Sequence, residues 1–257
     1  MVPLIDSKVK ISIITATYNA AEVLPILVAS LHKQTDQDFE WVVADGGSND
    51  HTLPYLKGLS GINLVLSEQR DFGIYDALNR AIMLSTGDYY VVLGADDRLY
   101  PDAICEFKRA ACHGPDIVTA RVDSDHGVRL IRSGKPFLRG QLAYISQHSV
   151  GTLIKKSLHQ RFGYYSRRFP IGADQYFIKR VCDAEDTLIH QADFVAGYYP
   201  TTGVSGADIP GTMTEFFRVQ LETERYPVLQ ILLFIARLIR HMPKLIRYAK
   251  NKQMDKL

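Results

Sequence analysis

The chain has 257 residues, 46% apolar and 23% charged, which excludes a disordered or fibrous polymer and fits one large α/β domain with a small appendage. Its three cysteines, Cys105, Cys112 and Cys182, are odd in number and form no CxxC pair, which argues against a disulfide framework or zinc knuckle and for a reducing compartment. The net charge of +2 is unevenly spread: residues 237–257 carry seven basic side chains against one acid, Asp255, leaving the other 236 residues at −4.

The opening MVPLIDSKVK lacks an apolar core of signal-peptide length, so export is not expected. KISIITATYNA reads as a buried strand over residues 10–15 that runs into a loop. AEVLPILVASLHKQ places Val23, Leu27, Ser30 and Leu31 on one face and predicts a helix. FEWVVADGGSNDHT predicts a second strand over residues 39–44 that breaks at Asp45-Gly46-Gly47, with Trp41 in the core. INLVLSE is a third strand. GIYDALNRAIMLSTG aligns Ile74, Ala77, Leu78, Ala81 and Ile82 as a helix face, with Gly87 as its stop. DYYVVLGA is a fourth strand, PDAICEFKRAA a helix with Pro101 near its first turn, and DIVTARV a fifth strand. Beyond residue 120 the alternation weakens. RVDSDHGVRLIRSG reads as a hairpin turning at Asp125-His126-Gly127, helices are expected around 155–161 and 173–182, and from Gly211 the pattern is helical almost to the end.

Strands alternating with helices imply crossover connections and a mainly parallel sheet flanked by helices. Ligands of such sheets bind beyond the carboxyl ends of the strands. Four polar sets should therefore line one edge: residues 15–19, 45–50, 68–73 and 96–97. Asp96 and Asp97 are adjacent carboxylates that repel unless neutralised. They form either a solvated turn with Arg98 or a site for Mg²⁺ or Mn²⁺ shared with a phosphate. Asp45 can accept a base N–H or merely close a turn, with Ser48 or Asn49 capping the next helix. Glu68, Arg70 and Asp71 stand before a helix N-terminus, suited to an anion contact or to an ordinary ion pair. Neither GxGxxG nor GxxxxGK[ST] occurs, which argues against a dinucleotide fingerprint and a P-loop.

TATYN, DGGSNDHT, DFGIYDALNRAI-LSTGDY and LGADD, in this order and spacing, resemble the family 2 inverting glycosyltransferases of the GT-A fold, most of all bacterial polysaccharide enzymes of the colanic-acid type. The resemblance is close over residues 10–100. It continues more loosely through SQHSVGTLIKKSLHQRFGYY and IGADQYFIKR to about residue 205. It implies a Rossmann-like nucleotide-diphospho-sugar transferase fold over residues 1–210, with a nucleotide-sugar part at 10–120, an acceptor part at 121–210 and a helical extension at 211–257. By position it sets Thr15, Ala16, Thr17 and Tyr18 beside the nucleotide, Asp45 on the base, and Glu68 and Asp71 near the nucleoside. Asp96 would face ribose or metal, Asp97 would bind the divalent cation, Mn²⁺ or Mg²⁺, on the diphosphate, and Asp174 would be the catalytic base. His148 is a candidate neighbour of the acceptor or metal, and Gly203-Val204-Ser205 a candidate diphosphate contact. Two positions depart from the pattern: Gly94 stands where many members carry the first acid of a D-x-D-D set, and Ala173 where many carry Glu before the base Asp.

The implied reaction is a single displacement that inverts the anomeric carbon. The donor is a UDP-, GDP- or dTDP-sugar and the acceptor a saccharide, lipid-linked in a bacterial surface polysaccharide. One carboxylate serves as general base, and a metal stabilises the departing diphosphate. A sugar-phosphate nucleotidylyltransferase is the rival enzyme class, but it should show a Gly-rich, Arg-containing loop after the first strand, and TATYNAAE does not. A non-catalytic scaffold of the same fold is the third reading. In the tail, Arg237, Arg240, Lys244, Arg247 and Lys250 share one helical face, with Leu238, Ile239, Leu245, Ile246 and Ala249 opposite. The unbroken apolar run at 231–236 is far short of the ~20 residues a span needs. A basic amphipathic helix over 227–252 is expected to lie on an anionic membrane, which places the enzyme peripherally on the cytoplasmic face. Packing on the catalytic domain, or on a second subunit in a homodimer, is the alternative, and Pro243 is expected to kink the helix. The mildly acidic body carries no nucleic-acid motif, so no nucleic-acid partner is expected.

Overall fold

Strand β1 (Ile11–Thr17) is apolar and β-branched on both faces because both faces are covered. Ile13 points with Leu24, Leu27, Leu31 and Trp41 into one core layer, and Ile14 points with Ala77, Leu78, Ala81 and Ile82 into the other. The structure, a computed structural model, describes residues 9–131, 134–201 and 208–254. The expected contact at Gly203-Val204-Ser205 lies outside them. β1, β2 (Phe39–Asp45), β3 (Leu64–Glu68) and β4 (Tyr89–Val92) run parallel in the order β3-β2-β1-β4. Helices α1 (Leu24–His32), α2 (Thr52–Lys57) and α3 (Ile74–Leu84) make the crossovers. The carboxyl ends of all four strands therefore leave from one edge, as the alternation of strands and helices requires.

The second half departs from the expected pattern. After β5 (Arg98–Leu99), α4 (Ala103–Ala111), β6 (Ile117–Ser124) and the short α5 (Pro136–Arg139), residues 152–155 form strand β7 (Thr152–Lys155). The helix expected around 155–161 begins only at Leu158, as α6 (Leu158–Phe162). A short apolar run such as TLIK fits strand or helix equally by pattern. Here β7 fills the gap between β4 and β6, antiparallel to both. Helix α7 (Ala173–Cys182) has the expected bounds. Strand β8 (Ile189–Tyr199) pairs parallel with β6 and antiparallel with β5, giving the order β3-β2-β1-β4-β7-β6-β8-β5. The turn at Asp125-His126-Gly127 exists, with Gly127 at φ 82, but among the described residues its return touches β6 through a single isolated bridge, Val122 to Arg129, in place of the expected two-stranded ladder.

Gly87 is not a helix stop. Helix α3 ends at Ser85 in extended backbone, and Gly87 is required two residues later by close approach: a Cβ there would lie 2.5 Å from the Ser12 hydroxyl. Its N–H donates to Ser12 Oγ and to the buried Glu40 carboxylate, which bind the end of the sheet opposite the candidate site. The C-terminal region is two helices, α8 (Ile209–Thr223) and α9 (Pro227–Met254). α8 is part of the body, since Val219 is buried in the core layer shared by α3 and α7, and Glu215 is buried as well. α9 packs on α8 through stacked Phe217 and Phe234, 4.3 Å between ring centres, and stays helical through Pro243.

Candidate active site

The loops after β1 and β2 are laced together. Asn19 adopts φ 48, a left-handed conformation that Asn tolerates, and its N–H donates to Ser48 Oγ at 2.8 Å while Asn49 N–H returns to Asn19 Oδ1 at 2.9 Å. Ala20 N–H donates to Thr52 Oγ1 at 2.8 Å. At the centre is Asp45, fully buried. Its Oδ1 accepts the Gly47 and Ser48 N–H groups at 2.9 and 2.8 Å, and its Oδ2 accepts the Ser48 and Thr17 hydroxyls at 2.6 and 2.9 Å. A carboxylate offers about four acceptor positions, and the loop takes all four. Asp45 therefore organises this loop at the carboxyl end of β2. Ser48 and Asn49 do not cap α2; Asp50 Oδ1 accepts the Thr52 N–H at 2.9 Å instead.

The remaining expected nucleotide neighbours divide. Thr15 is fully buried and its hydroxyl accepts the Trp41 indole N–H at 3.0 Å, so that side chain belongs to the core. Ala16 is half-buried against the α3 layer. Tyr18 is 64% exposed at the carboxyl edge. Glu68, at the carboxyl end of the outer strand β3, pairs with Lys57 at 2.8 Å at the surface. Asp71 does join the Asp45 loop: a Cβ on Gly46 would fall 2.5 Å from its Oδ2, so glycine is required for this contact.

Asp96 and Asp97 leave the same edge on the other side of β1. Asp97 is 1% exposed, and its Oδ2 accepts the Gly94 N–H at 2.6 Å. Burial pushes this carboxyl up to about 8; the Gly94 hydrogen bond opposes the shift and the Asp96 charge adds to it. Gly94 has a physical reason here, since a Cβ would meet Asp96 Oδ1 at 2.9 Å and Asp97 Oδ2 at 3.2 Å. His148 stacks on Tyr199, 4.1 Å between ring centres, with its Nδ1 3.8 Å from Asp97 Oδ2. Nδ1 accepts the Val150 N–H at 3.4 Å, and burial lowers the imidazole to about 4, so it is neutral at pH 7. Asp97, with one hydrogen bond, and the adjacent Asp96 offer carboxylate oxygens of the kind a small divalent cation takes before completing its shell with phosphate oxygens and water, while the His148 Nδ1 lone pair is already engaged by Val150. Among the described residues no group of three or more His, Cys, Asp or Glu side chains is arranged to hold a metal ion.

Asp174 lies in the first turn of α7, where the helix N-terminus favours a carboxylate. Burial raises its pKa, opposed by hydrogen bonds from Tyr75, from its own and the Gln175 backbone, and from Gln141. Tyr75 Oη lies 2.5 Å from Asp174 Oδ1 and 2.8 Å from the Ile171 carbonyl. Glu215 reaches over from α8, and its Oε2 accepts the Ile171 and Gly172 N–H groups at 2.9 and 2.8 Å. Ala173, where many members carry an acid, is fully buried in the core. The second carboxylate at this helix start thus comes from another element. Sequence reasoning missed Tyr75, Gln141, Glu215 and Tyr199. Tyr75 lies inside GIYDALN, where the pattern marks only a helix, and the others carry no local signal.

Known proteins resemble this chain as follows. A glycosyltransferase of Mycobacterium tuberculosis, described as PGL/p-HBAD biosynthesis glycosyltransferase, is 46% identical over 92 residues, which is 35% of this chain and 36% of that protein; the match thus spans little more than a third of the relative's length. A second protein of Mycobacterium tuberculosis, described only as an uncharacterized glycosyltransferase, is 32% identical over 184 residues, 67% of this chain and 70% of its own. Among solved structures, Staphylococcus aureus TarS 1-349 in complex with UDP superposes with a TM-score of 0.65 at 20% identity, over 91% of this chain and 72% of that one. The mannosyltransferase PcManGT from Pyrobaculum calidifontis, in complex with GDP-Man and Mn²⁺, gives 0.60 at 16% identity, over 98% and 82%. These structures share the GT-A architecture of a curled α/β sheet flanked by helices. The family model described as Glycosyl transferase family 2 matches residues 12–183, the greater part of the chain, and the chain belongs to that family.

Proposed function

We propose that the protein transfers a sugar from a nucleoside diphosphate donor to a saccharide hydroxyl, with inversion at the anomeric carbon. The observation that supports this best is Asp174: a carboxyl raised by burial, held at a helix N-terminus by Tyr75 and Gln141, in a chain whose other half carries a strand-end diaspartate. A general base works best with a pKa drawn toward the operating pH, and burial moves Asp174 in that direction. Asp174 accepts the proton of the attacking hydroxyl, while the new bond to the anomeric carbon forms and the bond to the diphosphate oxygen breaks. Asp71 and the loop organised by Asp45 border the nucleoside, with Tyr18 exposed beside them as a face for the base. Asp97 and Asp96, with His148 beside them, are the residues that would hold a divalent cation, which when bound offsets the charge of the departing diphosphate. The acceptor class is a saccharide, lipid-linked in the building of a bacterial surface polysaccharide at the inner face of the membrane.

Titration calorimetry with UDP, GDP and dTDP, with and without Mn²⁺, tests the donor assignment. One of the three should bind, more tightly with Mn²⁺, and Asp97→Ala should abolish the Mn²⁺ enhancement. Failure of all three to bind would remove the transferase reading. An enhancement that survives Asp97→Ala would remove the metal assignment alone.

A further inference from the structure

Helix α9 carries two apolar stripes, whereas its sequence read as one. Phe234 and the half-buried Leu238 lie on the side packed against the body, where Arg237 donates to the Leu138 carbonyl at 2.8 Å and covers the Phe216 ring. A second stripe, Ile231, Leu232, Ile235, Ile239, Met242 and Ile246, faces outward, each side chain 46–67% exposed. These positions recur every three or four residues and so form one continuous face. An exposed apolar row of this length marks a contact surface, because scattered single residues would leave no such row. Its sequence neighbours Arg240, Lys244, Arg247 and Lys250 are exposed, and the 28 residues of α9 contain no acid.

We propose that the outer stripe of α9 lies in the headgroup region of an anionic lipid bilayer, with the basic residues on the lipid phosphates. Charge selects this occupant. Two copies of the helix pairing through the stripe would bring together like-charged rows with no acid to offset them. A lipid surface supplies the opposite charge, and the long basic stems can reach it while the stripe stays in the apolar boundary. No helix among the described residues is long and apolar enough to cross a membrane, so the contact is a surface one. This rests on α9 alone and stands whether or not the transferase reading holds.

The test is sedimentation of the full chain with vesicles of phosphatidylcholine, with and without a third of phosphatidylglycerol. Two variants join it: Ile235→Glu/Ile239→Glu and Arg240→Gln/Lys244→Gln/Arg247→Gln. The altered side chains are largely exposed, and thermal melting checks that both variants fold. The wild type should pellet with the anionic vesicles and much less with the neutral ones. Each basic residue near anionic lipid is worth about a fivefold change in binding, so the charge variant should lose about a hundredfold. The apolar variant should lose binding to both. Equal partition into both vesicle types, or no loss in either variant, would overturn the proposal. So would a concentration-dependent dimer in light scattering that Ile235→Glu/Ile239→Glu dissolves, since a second copy would then own the stripe.

Discussion

Tyr75 has one hydroxyl proton and two acceptors in reach, the Ile171 carbonyl and Asp174 Oδ1. When Asp174 is ionised, the proton can point to the carboxylate. Once Asp174 is protonated, its own proton can point to Tyr75 while Tyr75 turns to Ile171. Tyr75 thus serves both protonation states of a base without moving a heavy atom. Asp174 is raised by burial, and the Tyr75 hydrogen bond holds the rise in check. In Tyr75→Phe the carboxyl should rise further, so less of it is ionised at a given pH. The acid limb of the pH–rate profile for kcat/KM should shift upward by about one pH unit, the size of a lost hydrogen bond to a charged group. Above the limb the rate should recover to within a few-fold. A uniform loss at every pH would instead mean a purely structural role. At this scale Asp97 stands out in the sequence as half of a strand-end acidic pair, and Asp174 only through the family resemblance. The sequence could not show how each is satisfied. Asp45 is held by four hydrogen bonds of its own loop, the Thr15 hydroxyl accepts from Trp41, and Glu68 pairs with Lys57 at the surface, partners that only the folded chain brings together.

At the scale of elements, helix α7 presents Asp174 only because its first turn is anchored. Glu215 of α8 satisfies the Ile171 and Gly172 N–H groups, two donors at a buried helix start. Glu215→Ala should cost about 2–3 kcal/mol in urea unfolding, from buried donors left without a partner, and should lower kcat as Asp174 loses its fixed position. Glu215→Gln keeps an acceptor oxygen and should recover most of both. Unchanged stability in Glu215→Ala would show that water or another residue serves those donors. The first four strands and α1, α3 and α7 were legible because each carries a long periodic or β-branched pattern. β7 and β8 were not. TLIK is too short to distinguish strand from helix, and β8 pairs with β6 through register shifts that blur its alternation. The start of the final helix at Pro227 was legible, but its apolar residues serve two faces, which the linear pattern does not separate.

For the whole molecule, chemistry is divided between two halves of one sheet. In the proposed reaction the loops after β1, β2 and β4 would hold the nucleotide and its diphosphate, and α7 of the second half would supply the base. Charge is divided too, with a mildly acidic body and a basic final helix. The central claim is that Asp174 is the base while donor binding resides elsewhere. Its most direct test is Asp174→Asn, an isosteric change, measured for both nucleoside diphosphate affinity and the rate of its release from the sugar donor. Affinity should stay within about twofold while turnover falls by 10²–10⁴, the range a positioned general base contributes. Turnover that persists at the wild-type rate with unchanged affinity would contradict the account.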